Sequence, residues 1–282
     1  MRGVVSAGMV AALEQLGLLN VFDRVYGSSA GAMNAAFFVA GQAGFGTTIY
    51  YEDINNSRFI DFGRLFGKRP IVDLDFLVWD VMHRSKPLDA ARVRNSAIEF
   101  RILATTVASG ERATFSRWTS DDDFFSCLRA GASMPVVSGP PYAYQGAEYW
   151  DALVSEPIPA RIAEEEGCSH LVVLLTRPCG NPGPRLSVFE RLYVAPKLRA
   201  VSRPLAERYR ARAAEYAQML AALDAGVGPR GRAAALAVAP AGPVIDKLER
   251  RRPHLVAGAN AGMRALLDVF EFNGPILRVA AT

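Results

Sequence analysis

The stretch VFDRVYGSSAGAMNAAFFVA (residues 21–40) decides the fold. Val21 to Tyr26 is rich in β-branched and aromatic residues and reads as a short strand. Five small residues follow, Gly27-Ser28-Ser29-Ala30-Gly31, and then a small-residue helix from about Ala32 to Ala40. A strand that feeds G-x-S-x-G and then a helix holds the middle serine, Ser29, on a sharp elbow. Gly27 and Gly31, with Ser28 and Ala30, let strand and helix approach and leave the hydroxyl exposed. A helix N-terminus there favours developing negative charge. The competing reading of Ser29 is a structural glycine-rich turn.

Upstream, MRGVVSAGMVAALEQLG (residues 1–17) places Val5, Met9, Leu13 and Leu16 at helical spacing, with Gly17 as a stop. An α/β chain usually reaches its first amphipathic helix through a strand and a turn. Here residue 1 already stands at the turn.

Downstream, residues 47–100 read as helices and loops carrying Tyr50, Tyr51, Phe59, Phe62, Phe66, Phe76 and Trp79. Those aromatics suit core packing first, and an acyl-pocket wall or lid second. Glu99 to Val107 reads as a strand, with Ser109-Gly110-Glu111-Arg112 turning into Ala113-Thr114-Phe115. Asp121-Asp122-Asp123 suits a helix start better than a metal site. A second hairpin runs from Tyr142 through Gln145-Gly146 to Asp151. Ile158 to Gly167 reads as a helix and His170 to Thr176 as a buried strand. A long helix follows over Arg203 to Ala225, then a strand at Leu236 to Val238 and a helix around Ala261 to Phe270. Strands alternating with helices predict an α/β layer fold without internal repeats.

The 282 residues are half apolar, so disorder is not a general option, and the net charge of +4 is a weak signal for nucleic acid. Arg250-Arg251-Arg252 is too short a run to suggest more than a solvated face. Cys127, Cys168 and Cys179 have no metal-type spacing and suit reduced thiols. Met33 to Gly46, the most apolar helical stretch, is too short to span a bilayer. The expected location is cytoplasmic, with lipid contact peripheral at most, and neither metal nor cofactor is expected.

Serine needs a base. The order Ser29, Asp151, His254 would satisfy an α/β-hydrolase triad on paper, but too few strands precede Ser29 for that fold. His83, His170 and His254 each read as surface or core decoration. Asp151, closing a hairpin strand beside small residues, can act as the base directly; a turn-initiating aspartate is the alternative.

Together these residues resemble the patatin-like phospholipases, particularly their bacterial branch. That family carries a G-G-G-x-R-G oxyanion loop, a G-x-S-x-G elbow and a D-G-[GA] aspartate. Arg2-Gly3 looks like the end of the first motif, GSSAG at 27–31 matches the second, and RAGASMPVVSGPPY at 129–142 is similar to the segment before the aspartate. YWDALVSEPIPARIAEEEGCSHLVVLLTRP at 149–178 looks like the aspartate motif, with Ala152 standing in the glycine position. The likeness is specific to about residue 178 and weak beyond.

The resemblance implies a three-layer α/β/α fold with a mostly parallel central sheet. It implies one domain over 1–282, with its motifs in 1–180 and a helical part over 181–282. It also implies Ser29 as nucleophile, Asp151 as base, and the backbone around Arg2 and Gly3 in an oxyanion loop. The substrate would be a lipid or acyl ester, the partner at most a membrane surface and no nucleic acid, and no cofactor would be needed. On this reading the glycine donors and the first strand are missing, and Met1 is an internal methionine of a longer chain. The alternative is a lipid-binding remnant of the same fold with impaired catalysis. Acyl transfer to an alcohol instead of water is a third possibility.

Overall fold

The computed structural model describes residues 1–67, 69–178, 192 and 194–270. Its first element is helix α1, Val4–Gln15, followed after a short 3-10 turn by strand β1, Arg24–Ser28, and helix α2, Ala30–Val39. The strand thus starts three residues later than its apolar pattern suggests, because Leu19–Val21 coil into the 3-10 turn. α1 is buried on nearly every side from Val4 to Leu13, as a helix stretch of apolar and small residues must be. Gly17 ends it at φ 70°, where a side chain would be strained.

Met33 to Gly46 is not one helix. Gly41, at φ 65°, breaks it, and α3 runs separately over Ala43–Glu52. Residues 53–95 hold a 3-10 turn at Phe62–Phe66, a π-helix at Phe76–Ser85 and helix α4, Ala90–Arg94. The π-helix has no distinctive residue pattern in the sequence. Tyr50, Tyr51 and Phe59 are core residues, Phe76 and Trp79 pack against that core half-buried, and Phe62 is exposed.

Strand β2, Glu99–Thr106, pairs in parallel with β1, with Ser28 opposite Leu103. β3, Arg112–Phe115, turns back along β2, and helix α5, Asp121–Gly131, follows. The aspartate run does open α5, capped by Ser120, whose hydroxyl accepts from the Asp123 amide at 3.1 Å. β4, Tyr142–Tyr144, and β5, Ala147–Asp151, form the second hairpin around Gln145 and Gly146. Both turn residues have positive φ, as a two-residue hairpin loop requires. β5 lies antiparallel on β2 with Asp151 opposite Ala104.

Helix α6, Ala160–Glu165, leads to β6, His170–Leu174, which pairs in parallel with β7, Ala234–Val238. β6 is buried only on alternate residues, because Val172 faces outward while Leu171 and Val173 face α6 and α8. α7, Ala195–Val201, and α8, Arg203–Asp224, lie between the two strands in sequence. The last helix, α9, spans Arg252–Val269, nine residues longer at its start than its apolar pattern suggests, with Pro253 in the first turn.

The chain is thus an α/β fold whose parallel pairs, β1–β2 and β6–β7, are extended by antiparallel hairpin strands on β2. α1 and α9 pack in direct backbone contact. A Cβ on Gly8 would fall 2.0 Å from the Ala259 carbonyl, and one on Gly262 would fall 1.9 Å from the Val5 carbonyl. No described helix is long and apolar enough to cross a membrane.

Candidate active site

β1 runs without a linker into α2, and Ser29 is the single residue at the junction. It has φ 55° and ψ −131°, a conformation L-residues rarely adopt. Such a residue stores about 1–3 kcal/mol of strain. The strain is sustained by Gly27, where a Cβ would lie 2.3 Å from the Ala32 Cα. Only glycine lets the strand and the first turn of α2 come so close. Gly31 differs: a Cβ there would touch nothing, so this position leaves open space beside the serine. Ser28 turns its hydroxyl the other way and donates to the Glu156 carbonyl at 3.0 Å.

Two helix N-termini meet at the elbow. Gly3 caps α1, and a Cβ on it would overlap the Ala30 side chain at 2.7 Å and the Tyr50 hydroxyl at 2.6 Å. The Gly3 carbonyl accepts from Asn34 Nδ2 at 2.9 Å and from the Ser6 hydroxyl at 3.0 Å. Asn34 Nδ2 also reaches Ser6 Oγ, while its Oδ1 accepts from Tyr50 at 3.0 Å. This buried network fixes the start of α1 against α2, and burial pushes the Tyr50 hydroxyl pKa up. Among the described residues, no acceptor meets the amides of Arg2, Gly3, Ala30 and Gly31. Two sets of free N–H groups therefore flank Ser29, each at the positive end of a helix.

Arg2 itself points away from this cradle. Its Nε donates to Thr176 Oγ1 at 3.1 Å, and burial together with Arg177 lowers its pKa.

The sheet brings Asp151 to the serine. Ser28 and Asp151 pair with adjacent β2 residues, Leu103 and Ala104, on the same edge of β2, because β3 occupies the other edge from Ile102 to Thr105. The C-terminal ends of β1 and β5 thus meet end to end along β2, which brings Ser29 and Asp151 together. Asp151 is fully buried. Its Oδ1 accepts from the Leu153 amide at 2.7 Å, so the turn-initiating role is real. Oδ2 is left for the other side, and it is buried without a hydrogen bond of regular geometry. The Ser29 hydroxyl nonetheless lies near enough to pull the carboxyl pKa down. Burial outweighs this and, against Ser29, Leu153, Lys247 and Arg212, pushes the pKa up to about 6.

The Asp151 backbone is held as firmly as its side chain. Its N–H donates to the Ser133 carbonyl at 2.7 Å, and its carbonyl accepts from Thr105 Oγ1 at 3.0 Å. Ala152 is buried and does not adopt positive φ, so alanine fits where the resemblance expects glycine.

The histidines are engaged elsewhere. His83 lies against Phe125 and Asp122, His170 bonds Ser169, and His254 bonds Glu249. Cys127 and Cys168 are free thiols, and Cys179 lies outside the described residues. Arg251 pairs with Glu249, Arg250 reaches the Ile60 carbonyl, and Arg252 lies over the Tyr51 ring. No group of His, Cys, Asp and Glu among the described residues could hold a metal ion. A water-sized cavity of about 10 Å³ between Ser155 and Tyr216 is lined by neither Ser29 nor Asp151, and it is too small for an acyl chain.

Sequence reasoning alone did not find Asn34, Tyr50, Thr105 or Ser133. Each is an ordinary polar residue in an apolar run, and only its burial marks it.

The curated protein YjjU of Escherichia coli (strain K12), described as an uncharacterized protein, is 27% identical over 180 residues. The alignment covers 63% of this chain and 49% of YjjU, so the chain spans about half the length of that relative. The profile of the patatin-like phospholipases matches residues 1–164, more than half of the 282. The chain belongs to the patatin-like phospholipase family.

Proposed function

We propose that this protein is a serine acyl-ester hydrolase acting on lipids through a Ser29–Asp151 dyad. Family membership supports a lipid acyl hydrolase in general. The observation that carries the dyad is the buried Asp151 Oδ2, without a regular hydrogen-bond partner and adjacent to a strained serine.

In the proposed reaction the Asp151 carboxylate accepts the Ser29 proton as Oγ attacks the ester carbonyl carbon. The resulting oxyanion lies between the amides at Gly3 and Ala30, whose alignment costs nothing at the moment of reaction. Collapse of the tetrahedral species breaks the ester C–O bond, and the proton passes from Asp151 to the departing alkoxide. Water, deprotonated by Asp151, then releases the fatty acid and regenerates Ser29. The raised pKa suits this, because an aspartate near 6 is a better proton acceptor than one near 4 and is still ionised at neutral pH.

A fluorophosphonate probe tests the proposal. Covalent labelling at Ser29 is expected, abolished in Ser29→Ala and strongly slowed in Asp151→Asn. Folded wild-type protein that binds acyl chains but never labels would reverse it.

A further inference from the structure

The RAGASMPVVSGPPY segment has no role in the dyad itself, yet it holds a buried arginine. Arg129, at the end of α5, is 6% exposed. Its Nε donates to Asp75 Oδ1 at 2.7 Å, its Nη1 donates to Ser133 Oγ at 2.6 Å, and its guanidinium lies 5.1 Å from the Tyr142 ring centre. Ser133 Oγ in turn donates to the Arg129 carbonyl at 2.9 Å. Burying a guanidinium costs several kcal/mol, so this clamp is an expensive way to fix a loop.

What the loop holds is Asp151. β4 pairs with β5 only as far as Tyr149, so the outer edge of β5 has no strand partner at Asp151. The Ser133 carbonyl takes that place and accepts the Asp151 amide at 2.7 Å. Ser133 itself lies in an irregular segment, Ala132 to Pro141, that contains Val136 at φ 70°, an outlier for a β-branched residue. The end of α5 holds Ser133 through its amide on the Ala130 carbonyl at 3.3 Å and its hydroxyl on the Arg129 carbonyl, and Arg129 Nη1 adds the side-chain anchor that ties Ser133 to the buried guanidinium.

We infer that Arg129, acting through Ser133, is a positioning residue that holds Asp151 at its distance from Ser29. The inference rests on the Ser29–Asp151 reading. It assigns the segment before the aspartate to aiming the base. Asp75 is exposed, so its partner role is the weaker half of the clamp.

The test uses full-length protein and two mild variants. Ser133→Ala keeps the carbonyl but removes the hydroxyl that Arg129 grips. Arg129→Lys keeps the charge but lacks the fork. Both are expected to fold, to lower kcat roughly tenfold or more on a short-chain ester, and to leave KM unchanged. The acidic limb of kcat/KM should also move down from about 6 by about half a pH unit, because a loosened site admits water to the carboxyl.

A second readout needs no turnover: the melting-temperature difference between each variant and its Asp151→Asn double mutant. In wild-type background this difference should widen from pH 4 to pH 7. In Ser133→Ala the widening should shrink by about half. A purely structural Arg129 would lower melting temperature and move neither the limb nor this difference. Variants that fold and keep wild-type kcat, limb and widening overturn the inference. Wild-type protein that never labels at Ser29 overturns the dyad instead, and the melting difference still judges the clamp.

Discussion

Ser29 and Asp151 meet along one edge of β2, the serine one residue past the Leu103 register at the end of β1 and the aspartate opposite Ala104 at the end of β5. The geometry of the proposed dyad is therefore a property of strand register rather than of flexible loops. A one-residue slip in either pairing would turn one side chain to the other face of the sheet. This rigidity has consequences for stability, pH and the glycines.

The strain at Ser29 should be measurable as lost stability. Glycine tolerates φ 55°, so Ser29→Gly removes the strain while adding freedom to the unfolded chain. The expected net gain is about 1 kcal/mol, seen as a higher melting temperature with labelling abolished. An unchanged or lower melting temperature would mean that the elbow is relaxed.

Asp151 predicts opposite pH trends for activity and stability. Its pKa rises from 3.8 in the open chain to about 6 in the fold. Between these values the native state binds more protons than the unfolded state, so stability falls as pH rises from about 4 to about 6. The full loss, reached above pH 6, is at most about 3 kcal/mol. Activity requires the carboxylate and should rise through the same window. Denaturant midpoints at pH 4 and pH 7 check the first trend: Asp151→Asn should flatten it and be the more stable protein at pH 7. Equal pH dependence in both proteins would contradict the buried, raised carboxyl.

The two elbow glycines should separate. Gly27→Ala drives a Cβ into the α2 backbone and is expected to cost several kcal/mol or prevent folding. Gly31→Ala meets open space and should fold with wild-type stability. If that methyl faces the substrate, only KM should move. Thermal melts and Michaelis plots of the two variants distinguish the roles. Equal destabilisation of both would contradict the packing described here.

The elbow was legible in the sequence because three short-range constraints coincide there: a strand, two glycines and a helix start. Asp151 was legible as the end of a hairpin, since Gln145-Gly146 fixes the register that delivers it. What failed were signals that depend on distant packing. Val172 looked buried in HLVVLLT but faces outward, because β6 has only one covered face. The π-helix at Phe76–Ser85 carries an ordinary helical pattern, and its wider turn is imposed by its surroundings. The start of α9 was missed because Arg250 to His254 is polar, although Pro253 is a good first-turn residue. Asn34 and Arg129 were invisible as site residues for a related reason: their value lies in the carbonyl or hydroxyl they reach, which no local spacing encodes.

Asn34 offers the sharpest separation of positioning from stability. Its amide donates to the Gly3 carbonyl and accepts from Tyr50, so it sets the angle at which the α1 amides face Ser29. Asn34→Asp keeps the acceptor for Tyr50 but places an oxygen against the Gly3 carbonyl, which must then withdraw. Loss of the donor should cost about 1–3 kcal/mol of stability. If the Gly3 and Arg2 amides hold the oxyanion, kcat should also fall roughly a hundredfold with KM little changed. The labelling rate at Ser29 should fall alongside, because phosphonylation develops charge on the same oxygen. A variant that melts earlier yet labels at the wild-type rate would confine Asn34 to packing and leave Ala30 as the principal donor.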